Sequence, residues 1–180
     1  VTPASVRREL NLLSSLFETA KNEWEIVGLN NPVKAVKRPS DSIARDRRLT
    51  PLEREQLLSE SLKTGSQQLY LAIQTALNTG MRQGEILKLK WEDIDFDRNQ
   101  ITVRDTKNGS NRVIVLSRCL REHLRSKPKK LGSIFRITAS GLQQAFRKLI
   151  IKLQIHNLRF HDLRHEAISS FFEMGLSVPE

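Results

Sequence analysis

Residues Phe160-His161-Asp162-Leu163-Arg164-His165-Glu166 form the stretch around which the rest of the chain is arranged. Ile168, Phe171 and Phe172 follow it at helical spacing, and Gly175 is a typical end of such a helix. We therefore predict that a buried helix begins here, with polar side chains in its first turn.

Two polar side chains of this stretch are suited to act together. His161 and Arg164 lie three residues apart, so a helix places them on one face. A guanidinium is a fixed fork that matches the geometry of phosphate oxygens, and an imidazole exchanges a proton near neutral pH. The pair therefore suits an anion at which a proton has to move. The alternative is that both side chains only cap and solvate the helix, and this stretch by itself favours that alternative.

The composition indicates a globular protein with an anionic partner. Hydrophobic residues make up 38% of the 180 residues and charged residues 28%, and the formal net charge is +10. These values exclude a disordered chain, and the excess of positive charge favours a polyanion such as nucleic acid. No apolar run reaches the length of a membrane span. The single cysteine, Cys119, excludes an internal disulfide framework and a cysteine zinc cluster, so an intracellular setting is the default expectation.

The first 48 residues are predicted to hold the end of a helical domain and a linker. Thr2-Pro3 combines a capping hydroxyl with proline at the first helical position, and an apolar stripe follows at helical spacing until Gly28. The surrounding sequence is too short to cover this apolar face. We therefore expect residues 1–31 to be the C-terminal part of a helical domain, and residues 32–48 to be a basic linker.

Residues 49–180 are predicted to form a second domain, mainly α with a small three-stranded antiparallel sheet (α+β). Thr50-Pro51-Leu52-Glu53 is a capping box at a helix start, and a short helix is entered through Arg82. Three short β-rich runs separated by turn residues predict an antiparallel meander. The expected strands lie near 94–96, 101–103 and 113–116. The expected helices lie near 66–78, 118–126 and 140–154, and after His161.

Three signals follow one another in a characteristic order along this domain. Thr79-Gly80-Met81-Arg82-Gln83-Gly84-Glu85 lies between two helices, Lys107 lies on a turn of the sheet, and His161-Asp162-Leu163-Arg164-His165 opens the last helix. In this order they closely resemble the tyrosine recombinases, the family of phage integrases and related site-specific recombinases. The resemblance spans nearly all of the chain. It implies the end of a core-binding (SAM-like) domain, a linker and a catalytic domain.

The resemblance implies a role for each residue at a matching position. Arg82 and Arg164 resemble the two arginines that clamp the scissile phosphate. Lys107 resembles the lysine that protonates the leaving 5′ oxygen, and His161 resembles the histidine that assists proton transfer. Glu85 resembles the acidic residue that supports the first arginine.

Such a set of side chains suits cleavage of a phosphodiester without a metal or another cofactor. Two fixed guanidiniums stabilise the negative charge that develops on the phosphate oxygens. A lysine that acts as general acid typically contributes ~10²–10⁴-fold. Covalent capture by a tyrosine conserves the phosphodiester energy for rejoining. The activity that the resemblance implies is site-specific recombination of DNA through a 3′-phosphotyrosyl intermediate.

The chain departs from the family pattern in its tyrosine. The family needs a tyrosine beyond the His-x-x-Arg helix, preceded by a further His or Trp. The only tyrosine here, Tyr70, stands before Arg82, and we interpret it as a packing residue. His165 belongs to the first-turn motif and is predicted to be a buried supporting histidine with a backbone partner, whereas His123 and His156 are predicted to be surface residues. We expect the chain to be truncated before its nucleophile and inactive in cleavage on its own.

Three other hypotheses stay open. His161 and His165 have the spacing of an H-E-x-x-H zinc motif, but Asp162 replaces the glutamate and the charge of Arg164 opposes a cation. A non-catalytic DNA-binding protein would need only a basic surface, and the absent tyrosine favours it. A type IB topoisomerase uses a related site, but the integrase-like motifs make it the weaker hypothesis.

The basic residues of the linker and of the later helices are candidates for DNA contacts. They would bind the phosphate backbone and position the protein without selecting a sequence. The resemblance implies that the partner is a double-stranded recombination site, on which the protein would associate as a tetrameric synapse through a C-terminal segment. No membrane contact is expected, and the expected location is the cytoplasm of a prokaryote, with a bacterial or phage gene. The candidates are Lys34, Lys37, Arg38, Arg45, Arg47, Arg48, Arg136 and Arg147.

Overall fold

The structure, a computed structural model, describes residues 1–40, 45–104, 111–127 and 131–176. The chain divides into two compact units, the first ending at Asp46 and the second beginning at Arg47. The second unit thus begins two residues before the predicted position 49. Within the described ranges, no helix is both long and apolar enough to cross a membrane.

The first unit is one long helix with a short turn folded onto it. Helix α1 spans Pro3–Asn22 and begins at Thr2, whose hydroxyl accepts a hydrogen bond from the backbone N–H of Ser5. A 3₁₀ turn spans Pro32–Ala35, and the Asn31 side chain before it donates to Ser14 and Glu18 of α1. Helix α1 ends six residues before the predicted stop at Gly28. Leu13 of the predicted apolar stripe is exposed, as are Leu12 and Leu16 of α1, and Trp24, the last residue of that stripe, lies exposed beyond the end of the helix.

The second unit contains six α-helices and three strands among its described residues. The capping box at Thr50 is confirmed: Glu53 N–H donates to the Thr50 hydroxyl at 3.1 Å, and Thr50 N–H donates to the Glu53 carboxylate at 2.9 Å. The elements are α2 (Pro51–Lys63), α3 (Gln67–Thr79), α4 (Gln83–Lys88), a 3₁₀ turn (Trp91–Asp93), β1 (Ile94–Asp95), β2 (Gln100–Val103), β3 (Arg112–Val115), α5 (Arg118–Arg125), α6 (Ala139–Lys152) and α7 (Asp162–Glu173).

The predicted three-stranded meander is confirmed. Strands β1, β2 and β3 pair in that order, and both pairings are antiparallel. Ile94 faces Ile101 across the first pair, and Thr102 faces Val113 across the second. The sheet therefore brings the start of β3 back toward the region where β1 begins.

One core joins the helices and the sheet of the second unit. Its fully buried side chains come from almost every element, which ties the site-bearing segments to one rigid body. Helix α3 packs against α7 through this core, and α4 packs against both α3 and α6. The core includes Leu57, Ile73, Ile86, Ile101, Leu120, Leu142 and Leu163.

Helix α7 begins where the sequence predicts, but it is less buried than expected. Leu163 and Ala167 are buried against the core, at the spacing of one turn. Phe172 is 62% exposed, so its place in the predicted buried stripe is wrong. The physical reason is that α7 lies at the surface of the unit with one narrow face against α3, and Phe172 lies outside that face.

Candidate phosphate-binding site

The turn between α3 and α4 positions Arg82. Gly80 ends α3 in the left-handed conformation (φ +62°), and the next residue, Met81, is buried in the core. The backbone then turns so that Arg82 precedes the first residue of α4, with its side chain 47% exposed. A fixed backbone therefore presents a guanidinium that is still accessible to an anion.

Glu85 fixes the position of Arg82 through hydrogen bonds. Its carboxylate accepts from the backbone N–H of Arg82 at 2.8 Å, as expected for an acidic residue in the first turn of a helix, and from the Arg82 guanidinium at 3.1 Å. The Glu85 side chain is 9% exposed. Burial by itself raises the pKa of this carboxyl, but hydrogen bonds from Arg112 and Arg82 outweigh burial and hold the pKa below its usual range. Glu85 is therefore ionised at neutral pH.

Arg112 is a site residue that the sequence-based prediction missed. It begins β3 and donates both terminal nitrogens to Glu85, at 3.1 and 2.7 Å. Its side chain is 22% exposed. A sequence signal existed: Arg112 and Ile114 alternate on the more buried side of β3, and a charge on the inner side of a strand needs a partner.

The beginning of α7 positions Arg164. Phe160 is buried and stacks edge-on against Phe146, with ring centroids 5.4 Å apart. Asp162 accepts from the backbone N–H of Arg159 at 2.7 Å and fixes the entry to the helix. The Arg164 guanidinium then donates to the backbone carbonyl of Gly80. Arg164 is therefore anchored to the same turn that carries Arg82.

Arg82, Arg164 and His161 affect one another's ionisation. Burial lowers the pKa of the Arg164 guanidinium, and the positive charge of Arg82 lowers it further. Burial also lowers the pKa of His161, followed by the effects of His165, Arg164 and Arg82. His161 is therefore neutral at pH 7, beside two cations. Arg164 reaches Gly80, two residues before Arg82, and His161 lies at the start of the helix that carries Arg164. The structure therefore brings together four of the predicted site residues, Arg82, Glu85, His161 and Arg164.

Two predicted site residues remain to be placed. Lys107 lies outside the described residues. His165 is exposed and stacks edge-on against His161, with ring centroids 5.2 Å apart, so the prediction of a buried histidine is wrong. The physical reason is that the buried face of α7 at this level is taken by Asp162 and Glu166. His165 therefore adjoins the site from the solvent side.

Two linker arginines have internal partners. Arg47 donates to Glu53 at 3.1 Å, and Arg48 bridges two carboxylates of α7, Glu166 at 3.2 Å and Glu173. The hydrogen bond to Glu173, followed by that to Glu166, raises the pKa of the Arg48 guanidinium. Sequence alone placed both arginines on a DNA surface. In the structure Arg47 pairs with one acidic side chain of the second unit and Arg48 pairs with two.

The other predicted DNA contacts differ in their exposure and in their partners. Lys34 pairs with Glu18 at 2.8 Å, and Arg38 donates to Asn11 at 3.0 Å. Arg45 is half-buried and also interacts with another group of the protein. The exposed members of the set are Lys34, Lys37, Arg38, Arg136 and Arg147.

Tyr70 is a packing residue, as predicted. Its ring meets the His123 ring edge-on, with centroids 4.9 Å apart, and its hydroxyl accepts from Gln74 at 3.0 Å. His123 is half-buried, so its prediction as a surface residue is wrong, whereas His156 is exposed as predicted. The physical reason is that α5 turns His123 toward α3, where Tyr70 covers it.

The described residues contain no group of three or more His, Cys, Asp or Glu side chains that could hold a metal ion. His161 and His165 have Arg164 as their neighbour, whose charge disfavours a cation between them. The arrangement therefore suits an anion.

The comparisons with known proteins agree with this geometry. The model of the phage integrase family matches residues 47–180. The shufflon-specific DNA recombinase of Escherichia coli is 48% identical over 182 residues, which cover 100% of this chain and 47% of that protein. The chain spans about half the length of the curated relatives it matches.

Two solved structures share the fold. The Tn1549 transposon integrase in complex with transposon right end DNA gives a TM-score of 0.76 at 21% identity, covering 98% of this chain and 69% of that chain. A lambda integrase dimer bound to a COC′ core site gives 0.76 at 22% identity, covering 97% and 68%. The match of the phage integrase family model to residues 47–180, well over half of the chain, shows that the chain belongs to this family of tyrosine recombinases.

Proposed function

We propose that this chain is the phosphate-binding catalytic part of a site-specific DNA recombinase. The observation that carries the proposal is that Arg164 is hydrogen-bonded to the turn that presents Arg82, while His161 lies at the start of the same helix as Arg164, and Glu85 links Arg82 to Arg112. Three guanidiniums accompany one carboxylate, which leaves a surplus of positive charge. A phosphodiester carries about one negative charge, and more develops on its oxygens during displacement. The surplus therefore favours the transition state over the free DNA.

Arg82 and Arg164 clamp the non-bridging oxygens of the scissile phosphate. Their side chains come from two elements fixed by one core, so little reorganisation is needed at the moment of reaction. His161 is neutral before DNA binds and can take up a proton beside the bound phosphate, whose negative charge favours the imidazolium.

Lys107 is proposed as the general acid for the leaving 5′ oxygen, on the strength of the family resemblance. Arg112 supports this assignment, because it begins β3 only five residues after Lys107 and reaches Glu85 at the site. His165 is proposed to support His161 from the solvent side.

The tyrosine that attacks the phosphate comes from outside these 180 residues. Tyr70 is the chain's single tyrosine, and it lies near the start of α3, whereas Arg82 follows the end of that helix. The ten residues from Tyr70 to Gly80 rise by about 15 Å along a helix. Tyr70 therefore stands too far from the clamp to attack a phosphate held there.

The proposed partner is double-stranded DNA that carries a recombination site. The name of the Escherichia coli relative, shufflon-specific DNA recombinase, supports this class of substrate, as do the DNA complexes of the two structural neighbours. Association into a tetramer on DNA is proposed from the family resemblance, with residues 1–31 as the end of the core-binding domain and 32–48 as the linker. The protein would work in the prokaryotic cytoplasm, bound to DNA. Exposed basic residues are proposed as backbone contacts: Lys34, Lys37, Arg38, Arg136 and Arg147.

The test is to trap the covalent intermediate. The complete protein is incubated with a nicked recombination site that cannot be rejoined, and protein–DNA adducts are separated under denaturing conditions. Arg82→Ala and Arg164→Ala are each expected to slow adduct formation by about 10²–10³-fold. An adduct that still forms at the wild-type rate in either variant would contradict the proposed clamp. Retained DNA binding without any adduct in the wild type would favour a binding module instead.

A further inference from the structure

We infer that Arg112 is a positioning residue of the phosphate site, which neutralises Glu85 so that Arg82 keeps its positive charge for the DNA. This role rests on the proposed function. It concerns a residue that does not touch the phosphate, and it acts through the Glu85 carboxylate.

The hydrogen bonds at Glu85 are the first support. One carboxylate oxygen accepts from the guanidiniums of Arg82 and Arg112, each at 3.1 Å. The other accepts from the backbone N–H of Arg82 at 2.8 Å and from Arg112 at 2.7 Å. Both oxygens are thus used twice, and Arg112 supplies two of the four bonds in a parallel fork.

The burial of the three side chains is the second support. Glu85 is 9% exposed and Arg112 is 22% exposed, whereas Arg82 is 47% exposed. Water therefore reaches Arg82 far more easily than it reaches the Glu85–Arg112 pair. An anion that arrives from solvent meets Arg82 first and finds Glu85 already paired.

Charge balance supplies the reason why the pair matters. A half-buried carboxylate needs one positive partner. If Arg112 did not fill that need, Arg82 would have to, and its positive charge would be cancelled at the place where the phosphate binds. With Arg112 present, Arg82 gives Glu85 only one guanidinium bond among the described residues, so the rest of its fork stays available.

The same ion pair ties two elements together. Arg112 is the first residue of β3, and Glu85 lies in the first turn of α4. A change at Arg112 would therefore loosen the sheet from the clamp as well as alter its charge. The two effects can be separated, because charge can be removed from Glu85 without changing its shape.

The experiment measures covalent adduct formation in single turnover with the complete protein and a nicked recombination site, alongside DNA affinity. Arg112→Gln is expected to lower the rate at saturating DNA by about 10- to 100-fold, as is typical when a partner behind a site residue is lost. DNA affinity should change by less than about threefold, because Arg112 faces Glu85 and not solvent. Adding Glu85→Gln to Arg112→Gln removes the uncompensated charge, and we expect it to restore about tenfold of the lost rate.

Arg104→Gln is the matched control. Arg104, whose side chain is 60% exposed, pairs at 2.7 Å with Asp93, whose side chain is also 9% exposed. Among the described residues, the hydrogen-bond and ion-pair partner given for Arg82 is Glu85 and neither of these two. This variant should lose stability as Arg112→Gln does and keep the wild-type rate of adduct formation.

A wild-type rate in Arg112→Gln would overturn the role of Arg112 and leave the proposed function standing. A double variant slower than both single variants would also overturn it, because it would indicate a structural contact only. A wild-type protein that forms no adduct would overturn the proposed function, and the role of Arg112 with it.

Discussion

Replacing Gly80 by alanine tests how closely α3, α7 and the clamp depend on one another. Gly80 has φ +62°, where a side chain is strained, and an added Cβ would lie 3.3 Å from the side chain of Ile168 on α7. The Gly80 carbonyl also accepts the hydrogen bond from Arg164. A shift of α7 by a few tenths of an ångström would therefore displace Arg164 at the phosphate site.

Gly65 is a control with the same backbone strain. It has φ +71°, and no described atom lies within 4 Å of its added Cβ. Alanine in the left-handed conformation costs roughly 1–2 kcal/mol at either position. Gly80→Ala carries an additional packing cost of about 1–2 kcal/mol, because Ile168 has to move.

The assay combines urea denaturation with single-turnover adduct formation. Gly80→Ala is expected to lower the free energy of unfolding by about 1–2 kcal/mol more than Gly65→Ala does. We also expect it to slow adduct formation by about tenfold, since small displacements of positioning groups are costly. Equal stability and equal rates for the two variants would refute the claim that Gly80 sets the distance between α3 and α7.

Two further predictions concern the second unit away from the clamp. Burial, and to a smaller extent Lys127, lowers the pKa of His123, so stability should fall as the pH drops from 6.5 through the folded-state pKa. His123→Phe should reduce that fall in denaturation curves taken at several pH values, and an unchanged pH dependence would contradict the burial of His123. Arg48→Gln should lower the free energy of unfolding by about 1–3 kcal/mol, because Glu166, which is 7% exposed, loses a partner. DNA affinity should change less in Arg48→Gln than in Lys37→Gln. The reverse order in a binding titration would indicate that Arg48 contacts DNA.

The parts of the fold that sequence predicts are those determined by neighbours in the chain. The helix start at Thr50 depends on a residue three positions away, and the meander depends on alternation within strands and on short turns. The turn at Arg82 and the helix start before Arg164 were also predictable, because each motif keeps its residues within a single turn or a single helix start. These local signals needed no knowledge of long-range packing.

The parts that sequence missed depend on contacts between distant segments. Arg112 and Glu85 are 27 residues apart, and Arg48 and Glu166 are 118 apart, so local spacing does not identify the partner of either arginine. His165 was predicted to be buried as part of the first-turn motif of a buried helix. Which face of α7 meets the core is decided by α3, and Phe172 lies outside that face for the same reason.

The proposed clamp requires that Arg82 and Arg164 together neutralise the charge of one scissile phosphate. The most direct measurement compares adduct formation by the complete protein on a normal nicked site and on one with a neutral methylphosphonate at the scissile position. Arg164→Ala is predicted to slow the reaction by about 10²–10³-fold on the normal phosphate and by less than about tenfold on the neutral one, because the neutral group has lost the charge that the arginine balances. An equal loss on both substrates would contradict the clamp.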